Sequence, residues 1–528
     1  MRFKRKLVVS VLGCLSLASP SWAGYGTLLH TLAPVGLGRE PFNGAAFGGT
    51  VSVSGDLLVA GGDDDGTVGA KAGTVWSFDL VTGKPLQVLD PPGLAAGNKL
   101  PEGLALSGEL AVATSDRKDS KTGEAYMFNA RTGAFVRKLR AAESVPGDEF
   151  GQATGVSGNL VLVTSDSRDN DAGAGYLFDA TTGAELRKLS YVDPAVQQVG
   201  DGALLNGNHA LLSCDTPHVV LFDAATGNMR KVFSIEGGGA FGASMGSHGS
   251  LAVIGAPEAG NGIGEAHVVN LNTLETIRIL RSSDWAEGDE FGRGVAIGEE
   301  AILVGSILTN GGAGSVTVFD RATGHRISKL VSPKPVSQEG FGDILATANG
   351  RAIVGAERGG VDGVASGVVY VFDIRFETLA DVNADGAANA IDMDLISAGV
   401  RGSSTDAKLD VNHDGRVDAT DRVVWIEALK HSYFGDSNLD GVFNSGDLVT
   451  VFQVGQYEDS AAGNSGWGQG DWDGNGDFSS GDLVLAFQGG SFEQGARSAV
   501  PAAVPEPSGG LLALLSAPLF AFLRRRSR

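Results

Sequence analysis

A mainly β chain, a seven-bladed β-propeller followed by small α-helical modules, is what three observations in this 528-residue sequence predict. A unit of short apolar runs separated by glycine-rich turns recurs with entries at Phe47, Leu100, Phe150, Val199, Phe241, Phe291 and Phe341, at spacings of 53, 50, 49, 42, 50 and 50 residues. That period is the signature of a propeller blade, which cannot bury its own faces and must stack on its neighbours. A 12-residue pattern rich in Asp and Asn then recurs four times between Asp381 and Asp482. Finally, of a net charge of −22, the stretch from Glu377 to Arg497 carries 21 acidic and 6 basic residues, a net −15, so the tail is chemically distinct from the propeller.

The chain begins with a targeting segment. Arg2, Lys4, Arg5 and Lys6 form a basic stretch, Leu7 to Ala18 an apolar one, and Ser21-Trp22-Ala23 a small-x-Ala cleavage site, which predicts a signal peptide over 1–23 and a mature chain exported from the cytoplasm. Val11-Leu12-Gly13-Cys14 resembles a bacterial lipobox. Only seven apolar residues precede Cys14 and the run continues past it, which favours the cleavage site.

The propeller is expected over 24–376. Its clearest unit runs from Phe150 to Leu189 and reads as four strands: a Phe-Gly entry, Leu160 to Val163, Tyr176 to Asp179, and Ala184 to Leu189 after Thr182-Gly183. The last unit stops at Phe372-Asp373 without its closing strand. Residues 25–32, ending in Leu32, have the length of that missing strand and are predicted to complete the seventh blade, pairing two otherwise open edges.

These units resemble the FG-GAP propeller repeats, a fold also used by the heads of integrin α-subunits. The resemblance rests on Phe-Gly at 47, 150, 241, 291 and 341, on Ile254-Gly255-Ala256-Pro257 and on strands of the form Gly-x-x-Tyr-x-Phe-Asp. Leu100-Pro101 and Val199-Gly200 depart from it, so distortion is expected in those two blades. Some integrin repeats carry calcium-binding hairpins. Here Asp63-Asp64-Asp65-Gly66 and the stretch Asp166 to Asp171 lack ligands at every second position and read as solvated turns. With Cys14 in the signal peptide, Cys214 is alone, and its apolar neighbours Leu211 and Leu212 make it a buried core thiol.

The acidic tail carries the chemistry. Its first loop offers Asp381, Asn383, Asp385, Ala387, Asn389 and Asp392; the second Asp410, Asn412, Asp414, Arg416, Asp418 and Asp421. The third offers Asp436, Asn438, Asp440, Val442, Asn444 and Asp447; the fourth Asp471, Asp473, Asn475, Asp477, Ser479 and Asp482. In each, oxygen-bearing side chains stand at positions 1, 3, 5, 9 and 12, glycine stands at position 6, and position 7 supplies a backbone carbonyl. Calcium takes six to eight hard oxygen ligands, and glycine at 6 permits the sharp turn, so these 24 residues are predicted calcium (Ca2+) ligands.

Position 12 is Asp throughout, and a propeller strand stands where an incoming helix would precede the first loop. Both features resemble dockerin modules, paired loop-helix units that fold around calcium and bind cohesin domains. The resemblance implies one module over 377–432 and a second over 433–496, with a cohesin-like partner. Trp425 and Leu429, Leu448 and Phe452, and Leu483 and Phe487 stand four apart and predict exiting helices. Dockerins of cellulosome scaffolds often carry Ser-Thr at positions 10 and 11; here only Thr420 keeps part of that pattern, so a calcium-stapled spacer is the competing reading.

After a linker over 497–508 comes Val504-Pro505-Glu506-Pro507-Ser508, then an apolar run from Gly509 to Leu523 and the basic end Arg524-Arg525-Arg526-Ser527-Arg528. This resembles the PEP-CTERM sorting signal, which implies an exosortase-type processing enzyme and passage to the cell envelope, cell surface or extracellular matrix of a bacterium. Residues 509–528 are predicted to form a membrane helix with a basic tail before processing.

No basic stripe with interleaved aromatics is present, which argues against nucleic acid. His209, His218, His248, His267 and His325 fall at unrelated phases of different blades, and no nucleophile elbow is evident, so no catalytic set is predicted. The expectation is a non-enzymatic secreted or cell-surface calcium-binding protein whose propeller meets a protein or glycan and whose tail supports assembly. The alternative is a dockerin-borne polysaccharide-degrading propeller enzyme, which a funnel of clustered carboxylates, Tyr or His at one face would favour.

Overall fold

The computed structural model describes residues 26–37, 43–63, 71–167, 172–193, 196–284, 286–360, 363–412 and 414–497. The signal peptide, the membrane helix, the Pro-Glu-Pro motif, Asp64 to Gly66 and Asp169 to Asp171 lie outside the described residues. Among those described, no helix is long and apolar enough to cross a membrane.

Seven four-stranded antiparallel sheets make the blades. In the third they are Thr154–Ser157, Leu160–Ser165, Ala174–Asp179 and Glu185–Leu189, hydrogen-bonded in that order. The two middle strands are covered on both faces by adjacent blades, which is why they read as unbroken apolar runs. The outer strand ELRKL is mostly exposed and charged, which guards its free edge.

The Phe-Gly entry is not a strand. Strand one starts four residues later, at Thr154, and Phe150 instead inserts between strands, its ring 5.8 Å from Tyr176 and 6.0 Å from Phe178. In five blade-to-blade junctions the entry residue forms a parallel bridge with a glycine of the preceding blade: Phe47 with Gly367, Leu100 with Gly73, Val199 with Gly173, Phe291 with Gly264 and Phe341 with Gly314. The approach demands glycine. A Cβ on Gly264 would stand 2.0 Å from the Phe291 carbonyl oxygen, and its φ of +87° is left-handed. Leu100 and Val199 are fully buried, make the same bridge, and belong to regular four-stranded blades, so the expected distortion is absent: backbone geometry carries the junction and the entry side chain need only be apolar.

The Phe-Asp…Thr-Gly signature closes the outer hairpin. Asp179 accepts from the Thr182 N–H at 2.7 Å and from its hydroxyl at 2.9 Å, and Asp79, Asp223 and Asp320 repeat the pattern. The first described strand, Thr27–Leu32, pairs antiparallel with Val368–Asp373 and completes the seventh blade. The ring is therefore closed by hydrogen bonds between its two ends.

The tail leaves the seventh blade through buried Ile374 and Phe376. Its helices are Phe376–Ala380, Ala390–Arg401, Ala419–Val424 (continued by a π turn, Trp425–Leu429), Ser445–Val454 and Ser480–Gln488. One hydrophobic core runs from Val316, Val354 and Tyr370 through Phe376 to Met393, Trp425, Trp467 and Trp472. The Trp425 indole donates to the Ala380 carbonyl at 2.8 Å and that of Trp467 to the Asp436 carbonyl at 2.7 Å. Trp425 and Leu429 are buried as a face, whereas Phe452 and Phe487 are 45% and 43% exposed. Each packs against the other of the last two loop units, Phe452 5.3 Å from Phe478 and Phe487 5.3 Å from Phe443.

Candidate metal centres

The four tail loops share one hydrogen-bond plan, and it explains their spacing. Position 1 accepts from the loop's own amides: Asp381, Asp410 and Asp436 take the N–H of positions 5 and 6 at 2.7–3.2 Å, and Asp471 takes Gly474 and Gly476, both at 2.9 Å. Position 3 (Asn383, Asn412, Asn438, Asp473) accepts from the N–H of position 5 at 2.8–3.0 Å. Position 5 (Asp385, Asp414, Asp440, Asn475) accepts from that of position 7 at 2.8–3.0 Å. Thus Ala387, Arg416, Val442 and Asp477 are fixed through their amides, with the turn made at Gly386, Gly415, Gly441 and Gly476, whose φ values lie between +88° and +99°.

Position 9 (Asn389, Asp418, Asn444, Ser479) caps the exiting helix, and position 12 closes a capping box with it. Asp392, Asp421, Asp447 and Asp482 take the position 9 N–H at 2.8–2.9 Å through one oxygen. The other reaches across the loop to the N–H of Asn383, Asn412, Ser437 and Asp473 at 2.7–3.2 Å. An Asp at position 12 is thereby bound at both ends of its loop.

These carboxylates are removed from water. The position 12 residues are at most 1% exposed, and Asp410, Asp436 and Asp471 at most 5%. Burial pushes the carboxyls of Asp421 and Asp471 up to about 6, with neighbouring Asp410 and Asp482 adding to it. Asp410, Asp436 and Asp482 are raised as well, burial again leading. Buried acids that crowd one another are stabilised by a shared cation. In the fourth loop, oxygens of Asp471, Asp473 and Asp482 lie within 4.8 Å of one another, the one such convergence among the described residues. The donor set is all hard oxygen, which fits calcium and not a thiophilic metal.

On the propeller, Asp63 pairs with Lys99 at 2.7 Å, and Asp166 is half-buried beside Ser167. A group the sequence reading passed over lies nearby. Glu102 stands two residues after an entry residue, as Asp201 and Asp343 do in their blades, and burial, then Asp116 and Asp63, push its carboxyl up to about 7. Asp116 is 4% exposed, and its Oδ1 has no hydrogen-bond partner. The repeat offered the signal, since an acid recurs at this position in the second, fourth and seventh units. Cys214 is buried and free, its thiol pushed up to about 12.

At the seam between blade and tail, His431 Nε2 lies 3.1 Å from Asp320 Oδ2, and His325 Nε2 3.6 Å from Glu427 Oε2. Arg497 donates to Glu427 at 3.0 Å and to the Ser432 carbonyl at 2.7 Å. The two histidines are brought together around a cavity of about 410 Å³ with Glu427 and Arg497, an arrangement that no local pattern in the chain foretells.

Residues 379–430 match the family model of the dockerin type I domain, which spans the first two loops and their helices. Residues 276–319 match that of the FG-GAP repeat, covering parts of the fifth and sixth blades. No curated protein matches the chain. Among solved structures, the crystal structure of the computationally designed Ika8 protein is similar over 66% of this chain and 100% of that one, at 17% identity and a TM-score of 0.40.

Proposed function

We propose that this chain is an exported calcium-binding assembly protein, its propeller displaying an interaction surface for an extracellular protein or glycan and its tail engaging a cohesin-like partner. The observation that carries this reading is the common plan of the four loops, in which the loop amides already orient the position 1 and position 12 carboxylates, buried at position 12 throughout and at position 1 in the last three loops. Calcium, when bound, supplies the positive charge that these carboxylates lack. The chain itself supplies the rest: the loop amides orient the acids, the capping boxes tie them to the helices, and three tryptophans set the helices on a common core.

Assembly is supported by the match over 379–430 and by apolar side chains left exposed on the tail helices, Ile391, Leu395, Val449 and Val484 among them. The Pro505-Glu506-Pro507 motif supports sorting to the cell envelope by an exosortase-type enzyme. The test is calcium titration of the full chain by calorimetry and circular dichroism. Saturable binding with a gain of helical signal, weakened in Asp410→Ala and Asp436→Ala, is expected; no binding at millimolar calcium would overturn it.

A second reading, the polysaccharide-active enzyme, is favoured by one observation: Glu102 carries a carboxyl raised to about 7 among Asp116 and Asp63. A group titrating there suits general acid catalysis. Turnover of a polysaccharide panel by the unaltered chain and its loss in Glu102→Gln would support it, and an inactive unaltered chain would remove it.

A further inference from the structure

The fourth loop differs from the other three in what holds it. Arg422 is buried, and it donates from Nη2 to the carbonyl of Trp472 at 2.6 Å and from Nη1 to that of Asp473 at 2.5 Å. Its Nε bonds the Ser397 hydroxyl at 3.0 Å, which fixes the guanidinium plane. Arg401 donates to the Gly474 carbonyl at 2.7 Å, and its Nη1 stands 3.5 Å from Asp471 Oδ2. Three consecutive carbonyls, at positions 2, 3 and 4, are therefore gripped by guanidinium groups that belong to the first pair of loops. The fit is close: a Cβ on Gly474 would stand 2.5 Å from Arg422 Cζ.

Where these arginines sit in the chain gives the contact its meaning. Arg422 directly follows Asp421, position 12 of the second loop, and Arg401 ends the helix that Asp392, position 12 of the first loop, begins. Whatever fixes those carboxylates also fixes the two guanidinium groups. The loop they hold is the one in which three acids already converge, and it carries Asp473 where the others carry Asn. Converging acids repel. Main-chain clamping opposes that repulsion through carbonyls that are not calcium ligands, and both guanidinium groups add positive charge: Arg422 acts on Asp471, Asp473 and Asp482, and Arg401 stands 3.5 Å from Asp471.

We infer that Arg401 and Arg422 are positioning residues that assemble the fourth loop for calcium, coupling its ion affinity to the ordering of the first two loops. This rests on the calcium reading above. The coupling is reciprocal, so calcium on the fourth loop must in turn favour the ordered form of the first two. A charge-assisted hydrogen bond contributes on the order of a tenfold change in such an equilibrium.

The test is hydrogen exchange of the full chain, followed by mass spectrometry during a calcium chloride titration, with the four loops read as separate peptides. Arg401→Gln alters a side chain that is 41% exposed and is expected to preserve the fold. It should raise the calcium midpoint of the fourth loop about tenfold and leave the third unmoved. Asp410→Ala, which removes a ligand of the second loop, should raise the fourth loop's midpoint as well. Arg422→Lys keeps charge but cannot span two carbonyls, and should fall in between. A fourth loop unmoved by Arg401→Gln or Asp410→Ala, or an equal shift of all four under Arg401→Gln, would overturn the clamp while leaving the calcium reading intact. Failure of every loop in the unaltered chain to respond would remove both.

Discussion

Leu32 stands in register opposite Val369, so the first described strand finishes the sheet that the propeller's last strands begin. Leu32 is 2% exposed and packs with Phe47, Trp76 and Val371, which joins the seventh blade to the first. Leu32→Ala should therefore cost about 2–5 kcal/mol and lower the melting temperature of the whole propeller, not of one blade. Differential scanning calorimetry reads this as one shifted propeller transition, and a split transition would contradict it.

The blade junctions give a sharper case. Gly264→Ala places a methyl 2.0 Å from the Phe291 carbonyl oxygen at a left-handed φ, so the backbone must move. A loss of about 3 kcal/mol or more is expected. Gly288 also has positive φ but nothing within 4 Å of a built Cβ, and Gly288→Ala should cost only about 1 kcal/mol. Urea denaturation of the pair separates crowding from backbone strain.

Acidity should act on the tail with a definite sign. Asp421 and Asp471 are raised to about 6 in the folded chain, above the ordinary Asp value of 3.8. A raised acid favours the folded state while protonated, so the calcium-free tail should be most stable below about pH 4 and lose stability as pH rises through 6. With calcium the order reverses, because the ion requires ionised acids, and binding should fail as pH drops below about 6. Melting temperatures at pH 4.5 and 7.5, with and without calcium, check both signs.

Position 12 should be more demanding than its charge alone suggests. Asp447 joins the N–H of Asn444 to that of Ser437 across the loop. Asp447→Asn keeps the shape, can still accept at one oxygen, and is expected to weaken calcium at the third loop about 10–100-fold with the helix retained. Asp447→Ala removes the capping box too, and should cost a further ~1 kcal/mol of helix stability. Calorimetry and circular dichroism on the two variants separate the roles.

Much of this was legible from the chain alone. The blade period, the closing strand and the four loops all rest on local patterns, and the structure shows seven blades, the last closed by Thr27–Leu32. The Phe-Gly entry reads as a strand because periodicity reports only a segment's own conformation, while the role of Phe150 lies in packing and that of five of its counterparts in a bridge to the preceding blade. Arg422 was invisible for a related reason, and Glu102 showed in the repeat only as a recurring acid, without its surroundings. Arg422 meets carbonyls some fifty residues away, and the Glu102 carboxyl is raised first by burial and then by Asp116 and Asp63, all of which depend on the folded chain.

The hydrophobic core that passes from Tyr370 through Phe376 to Trp425 has a mechanical consequence. With His431 against Asp320 and His325 facing Glu427, it makes the tail a bracket on the side of the sixth and seventh blades and not a leash. Anything that grips the tail therefore holds the propeller as well, through this shared core.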